Sequence, residues 1–246
     1  MAILEIIGIS KRFGAIQALT NVSLSLNAGE VVGLMGDNGA GKSVLVKIIA
    51  GNYPPTEGTM LMLGRKVAFR NPSDARREGI EIVYQDLALC DNLTAAENVF
   101  LGRELMRGIA PFRVVDYGAM YRRSNDLFAE LKSETQPRDL VRRMSGGQRQ
   151  AVAIARIRLS DAKVVLLDEP TAAISVRQVG EVLNLIRRLR EQHIAVVLIS
   201  HRMQDVFAVA DRIVVLRRGS KVADKPIAQS SPEEVTGLIT GAIETA

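Results

Sequence analysis

Eight consecutive residues, Gly36-Asp37-Asn38-Gly39-Ala40-Gly41-Lys42-Ser43, follow the pattern G-x-x-x-x-G-K-[ST]. That spacing suits polyphosphate binding. Glycines let successive backbone N–H groups converge on phosphate oxygens, and a helix starting where the loop ends adds partial positive charge. Lys42 is expected to reach the β- and γ-phosphates of a nucleotide, and Ser43 to bind its Mg²⁺. Farther on, Val164-Val165-Leu166-Leu167 runs into Asp168-Glu169. Carboxylates often end strands only because loops are solvated, but beside a phosphate loop Asp168 stands where a second Mg²⁺ contact is needed. Glu169 is then the residue that orients or deprotonates an attacking water. A third cluster is Met144-Ser145-Gly146-Gly147-Gln148. Ser145 and Gln148 alone make an ordinary capping box. The two glycines are not explained by capping, because glycine in a first turn costs about 1 kcal/mol relative to alanine. A bare helix N-terminus beside a serine hydroxyl is an anion site.

These residues need elements to hold them. Ile3–Ile9 is a short apolar run, and Val22, Leu24 and Leu26 alternate with Ser23, Ser25 and Asn27, so the chain opens in strands. Val31–Met35 is a continuous apolar strand of the kind buried on both faces. It leads into the Gly36–Gly41 loop and a helix with Leu45, Ile48 and Ile49 on one side, stopped by Gly51 and Pro54-Pro55. A hairpin is expected around Gly64, a helix after Asn71-Pro72, and a strand over Ile80–Tyr84. From about Asp86 to Arg158 strand signals fade and helix starts accumulate, Thr94-x-x-Glu97 among them, which predicts an all-helical insert. Alternation then resumes: strands at Val164–Leu167, Ala195–Ser200 and Ile213–Leu216, helices over Val176–Gln192 and Met203–Ala210, a hairpin at Gly219, and a terminal helix opened by Ser231-Pro-Glu-Glu234. The pattern is α/β: a mainly parallel sheet, an antiparallel β portion and a helical insert.

Composition narrows the class. The chain has 246 residues, of which 47% are apolar. No apolar run approaches the ~20 residues needed to span a bilayer, and the N-terminus lacks the basic n-region and small-residue cleavage site expected of a secretion signal. A lone cysteine, Cys90, excludes an internal disulfide and suits a reducing compartment. A net charge of +5 and pI near 9.5 invite a nucleic-acid reading. The basic residues are scattered as pairs, such as Arg76-Arg77 and Arg187-Arg188, and aromatics are only 4%, so a solvated surface explains them better than a phosphate-tracking stripe. No nucleic-acid partner is expected.

In order, the phosphate loop, Gln85, Ser-Gly-Gly-Gln, Asp168-Glu169 and His201 resemble the nucleotide-binding subunit of an ABC transporter, over essentially the whole chain. The resemblance implies a P-loop NTPase (RecA-like) core at 1–85 and 159–246, with an N-terminal antiparallel β subdomain. It also implies an inserted α-helical subdomain at 86–158 that presents the signature. ATP and Mg²⁺ are the implied ligands. Phe13 would stack on adenine; Gly36, Asp37, Asn38, Gly39, Ala40, Gly41, Lys42, Ser43 and Val44 would hold the phosphates. Ser43, Gln85 and Asp168 would hold the metal, Gln85 would also contact the lytic water, and His201 would touch the γ-phosphate. Ser145, Gly146, Gly147 and Gln148 would complete the site of a second copy in a head-to-tail dimer. Three positions depart from the pattern: Met144 replaces the usual leucine, Val44 a small hydroxyl residue and Ser175 an aspartate, the last bearing on communication across the dimer.

Finer likeness points to a transport class. Tyr84–Leu89, Glu97–Glu104 and Glu169–Ala173 are similar to ATPases of bacterial monosaccharide importers, of the single-cassette kind as in ribose or fructose import. The likeness implies a membrane permease subunit, a periplasmic sugar-binding protein and a peripheral position on the cytoplasmic face of the inner membrane. Leu87, Leu89, Leu93 and Phe100 are candidates either for docking on the permease or for core. Non-transport ATPases of DNA repair or translation share the motifs. They need a long coiled coil between Gln85 and Ser145, or a second cassette, and neither is present in this sequence.

Overall fold

A computed structural model describes residues 2–83, 89–110, 112–171 and 176–244, with backbone alone for Val83, Arg177 and Gln178. Two sheets face each other. The first is antiparallel, with β1 (Ala2–Phe13) between β2 (Ile16–Asn27) and β4 (Glu57–Met62), and β5 (Arg65–Val67) at its edge. The second has six strands in the order β12-β11-β3-β10-β9-β6. These are β3 (Val31–Met35), β6 (Ile80–Val83), β9 (Val164–Asp168), β10 (Ala195–Ile199), β11 (Arg212–Arg217) and β12 (Ser220–Pro226). All its pairings are parallel except β11 with β12.

The unbroken apolar runs become intelligible once both faces of this sheet are covered. Val32 and Leu34, Val164 and Leu166, and Val197 and Ile199 pack toward the antiparallel sheet, together with α1 (Lys42–Ile49). Their neighbours Val31 and Met35, Val165 and Leu167, and Val196 and Leu198 face the other way. There they meet the later helices α6 (Val176–Glu191), α7 (Met203–Val209) and α8 (Pro232–Thr240). The period of two along each strand thus supplies two cores at once. Arg212 ties the sheets together, donating to Glu30 Oε1 (2.6 Å), to Asp224 Oδ1 (2.5 Å) and to the Ser25 carbonyl of β2. The short helix α2 (Pro72–Arg77) is capped by Asn71, with proline at its first position.

Between β6 and β9 the chain builds a third cluster from α3 (Ala95–Phe100), α4 (Tyr117–Glu130) and α5 (Gly146–Leu159), around Phe100, Phe128, Leu127 and Val152. Phe100 is core, and Leu89 packs against this cluster; Leu87 lies outside the described residues. The expectation of a wholly helical insert needs correcting. A β-hairpin, β7 (Met106–Arg107) with β8 (Val114–Val115), stands between α3 and α4, and a 3-10 turn at Val141–Arg143 precedes α5. Strands of two residues carry no readable period, so nothing in the local pattern announces them.

Candidate active site

Parallel register brings the candidate residues to one edge. Val31–Leu34 of β3 lies alongside Val196–Ile199 of β10, and Ile199 in turn pairs with Asp168 of β9. The phosphate loop, Asp168-Glu169 and Ser200-His201 therefore leave the carboxyl ends of three adjacent strands, the side on which open α/β sheets bind ligands. On the far side of β9, Val83 of β6 pairs with Leu167. Gln85, two residues on, lies outside the described residues, as does Ser175.

The loop after β3 is built by close approach. A side chain at Gly36 would meet the Leu216 carbonyl at 2.4 Å, and one at Gly41 the Ala18 carbonyl at 2.8 Å. Gly41 also caps α1 with φ 102° and offers no side-chain acceptor. The first N–H groups of α1 therefore remain available for an anion. Asp37 turns the loop: its carbonyl accepts from Ala40 N (3.1 Å) and its carboxylate from Asn38 N (2.7 Å). Lys42, buried, donates Nζ to the carbonyls of Gly36 (2.7 Å) and Asp37 (3.0 Å). Burial lowers its pKa, and Glu169, Asp37 and Asp168 oppose that shift. Ser43 follows, with its side chain exposed, and Val44 packs partly against the first core.

Asp168 ends β9 half-buried, and its carboxyl pKa is raised by desolvation and by neighbouring Glu169, against the pull of Lys47 and Lys42. Glu169 has φ 51°, an uncommon conformation for a residue with a side chain. That backbone is held by its N–H, which donates to the Ile199 carbonyl at 3.0 Å. Its carboxylate Oε2 sits 2.7 Å from His201 Nδ1 and accepts from the His201 N–H at 3.4 Å. The imidazole itself is 66% exposed, so the pair faces the open side of the sheet edge. The hard oxygen donors of Ser43 and Asp168 fit Mg²⁺, and a carboxyl whose ionised form is disfavoured by burial gains most from a cation.

Phe13, at the end of β1, is 41% exposed. Its ring meets that of Tyr53 edge-on at 5.5 Å, and Lys11 Nζ lies 5.0 Å from its centroid. At α5 the capping box is present, with Ser145 N donating to Gln148 Oε1 at 3.0 Å and Gln148 N to Ser145 Oγ at 3.4 Å. The two glycines differ. A side chain at Gly146 would fall 1.9 Å from the Glu181 carboxylate of α6, whereas Gly147 has open space around it. Gln150 Nε2, buried, also donates to the Glu181 carbonyl, so α6 backs the first turn of α5. Sequence reasoning missed Glu181, Tyr53 and Lys11: each acts on a residue outside its own local pattern, and no short spacing advertises such a contact.

A family model described as "ABC transporter" matches residues 19–172. The xylose/arabinose import ATP-binding protein of Sulfolobus acidocaldarius is 44% identical, over 97% of this chain and 94% of its own. A ribose import ATP-binding protein of Burkholderia cenocepacia is 41% identical over 97% of this chain, which spans 46% of that longer relative. Among solved structures, the ADP conformation of an ATP-binding cassette of an ABC transporter superposes with a TM-score of 0.78 at 25% identity, covering 98% of this chain and 95% of that one.

Proposed function

The chain belongs to the ABC transporter family, and on that premise we propose that it is an ATP-binding and hydrolysing subunit powering import of a sugar, a monosaccharide, through a separate membrane permease. The observation that carries the ATPase is the convergence of Lys42, Asp168 and the Glu169–His201 pair at the ends of β3, β9 and β10. The sugar rests on the import relatives alone. No helix among the described residues is long and apolar enough to cross a membrane. The import assignment makes the chain a peripheral subunit on the cytoplasmic face, with a periplasmic sugar-binding protein delivering cargo to the permease. We also assign 1–85 and 159–246 to the core and 86–158 to the signature-bearing insert. Its helix α4 has 14 residues, too short for the coiled-coil arm of a DNA-repair ATPase.

In this reading the α1 N-terminus and loop amides cradle the phosphates, and Lys42 turns its ammonium from the Gly36 and Asp37 carbonyls toward the β- and γ-oxygens. Ser43, Asp168 and Gln85 hold Mg²⁺, which when bound neutralises charge on the phosphates. Phe13 lies flat on the adenine, steadied by Tyr53 and Lys11. Glu169 accepts a hydrogen bond from the attacking water and draws its proton. His201 holds that carboxylate in place through Nδ1 and turns its other ring nitrogen to the γ-phosphate. Ser145, Gly146, Gly147 and Gln148 close the site of a second copy. Support for that comes from Gly147: among the described residues nothing lies within 4 Å of where its side chain would be, which leaves room for a partner's nucleotide.

Glu169→Gln is the decisive variant. It should bind ATP, lose steady-state hydrolysis by on the order of a hundredfold or more, and accumulate as an ATP-bound dimer on gel filtration. Unchanged turnover would remove Glu169 from the chemistry. Deletion of the gene with no loss of growth on any sugar would refute the import reading.

A further inference from the structure

The β7–β8 hairpin exposes apolar side chains that none of the described residues covers. Ile109 is 86% exposed and Phe112 83%, with Val114 at 53% and Met106 at 43%. Single exposed hydrophobics are ordinary, but this many on one short ribbon are not. The ribbon's geometry sorts them. Met106 pairs with Val115 and Arg107 with Val114, so each pair shares a face. Val115 packs partly against the insert's core cluster although its partner Met106 stays exposed, while Arg107 and Val114, on the other face, are both exposed. Bonds from Asp116 N to the Leu105 carbonyl (2.7 Å) and from Phe112 N to the Ile109 carbonyl (2.8 Å) close the base and the tip. The result projects Ile109 and Phe112 beyond a base carrying Arg107 and Arg113, both exposed. Between Leu105 and Val115 there is no acidic residue. Two carboxylates flank it and both accept from backbone: Glu104 from Gly102 N (2.9 Å) and Asp116, capping α4, from Ala119 N (2.9 Å).

We propose that this hairpin inserts its tip into an anionic lipid surface, with Arg107 and Arg113 on the headgroups and Ile109 and Phe112 in the acyl boundary. Charge complementarity selects that partner: a ribbon that carries Arg107 and Arg113 and no carboxylate from Leu105 to Val115 matches the negative cytoplasmic leaflet. Arginines beside an apolar tip also suit an interface where one end is dry and the other wet. The import reading enters only to place the chain beside a bilayer. The ATPase assignment stands or falls by Glu169→Gln, whether or not the hairpin meets lipid.

The chain contains no tryptophan, so Phe112→Trp in the full-length protein supplies a single reporter at the tip. Protein-free vesicles of phosphatidylglycerol and phosphatidylethanolamine should shift its emission to the blue, and brominated acyl chains should quench it. Pure phosphatidylcholine should do much less. Ile109→Asp with Phe112→Asp should weaken co-sedimentation with anionic vesicles at least tenfold, and Arg107→Gln with Arg113→Gln should flatten its salt dependence. ATPase rate and melting temperature serve as folding controls for the double aspartate variant, whose positions are solvent-exposed. An unshifted emission, or equal co-sedimentation of that variant, would overturn the proposal. So would a shift that arises only in vesicles containing the permease, which would assign the tip to protein.

Discussion

At the scale of single residues, function and stability pull apart at two positions. Burial and Glu169 hold the Asp168 carboxyl above its ordinary pKa. A carboxyl raised in the folded state keeps its full stabilising contribution below the unfolded pKa and loses it as pH rises through the folded one. At neutral pH the ionised Asp168 is therefore a burden on the nucleotide-free protein. Asp168→Asn is expected to raise its melting temperature by on the order of 1–3 °C, discounted for partial solvent access, and the gain should vanish on acidification. Mg²⁺-dependent hydrolysis should be lost in the same variant. A lower melting temperature at neutral pH would contradict this account. Gly147 offers the parallel case. With open space around it among the described residues, Gly147→Ala should stabilise α5 by a few tenths to about 1 kcal/mol while slowing hydrolysis, because in the proposed dimer its methyl would face the partner's nucleotide. Stabilisation with unaltered hydrolysis would show that no ligand approaches there. Gly146→Ala differs, since the new methyl must first expel the Glu181 carboxylate.

At the scale of elements, one buried polar side chain holds α3 in place. Asn98 is fully buried, and its amide accepts from Cys90 N (2.7 Å) and donates to the carbonyls of Cys90 (3.0 Å) and Thr94 (3.0 Å). Asn98→Ala would leave the Cys90 N–H without its acceptor, while the Cys90 carbonyl keeps its bond from Leu93 N (3.1 Å), a loss of about 1–3 kcal/mol. Urea unfolding should read it as a lower midpoint with an unchanged slope, and a loss under about 0.5 kcal/mol would mean water replaces those bonds. The sequence did not reveal Asn98, because tertiary burial decides what a polar residue does on an apolar helix. It did reveal the caps. Thr94 with Glu97 and Ser145 with Gln148 form the boxes expected of them, and Ser231 accepts from Glu234 N at 3.2 Å. Those signals are local, as are the continuous apolar runs that placed β3, β9 and β10. The Glu169–His201 contact and the docking of Glu181 on Gly146 span long stretches of chain, so neither was legible; family likeness assigned Glu169 and His201 to one nucleotide site without pairing them.

At the scale of the molecule, the proposed function divides each nucleotide site between two copies of the chain. The phosphate loop, Asp168, Glu169 and His201 lie along one sheet edge, while the signature belongs to the insert, with Gly146 backed by α6 and Gly147 uncrowded. A twofold axis would place each signature over the partner's loop, giving two identical composite sites. Mixing tests this directly. Lys42→Ala destroys the loop half and spares the signature; Gly147→Asp places a negative charge against the incoming phosphate and spares the loop. Each variant alone forms dimers with two broken sites and should be nearly inactive. A heterodimer of the two gathers both defects in one site and leaves the other intact. Random pairing of equal amounts should then restore roughly a quarter of wild-type hydrolysis, given closed twofold symmetry. The recovery should follow the heterodimer fraction as the ratio is varied. A mixture no more active than its components would show that loop and signature serve the same chain's nucleotide, and the composite site would be wrong.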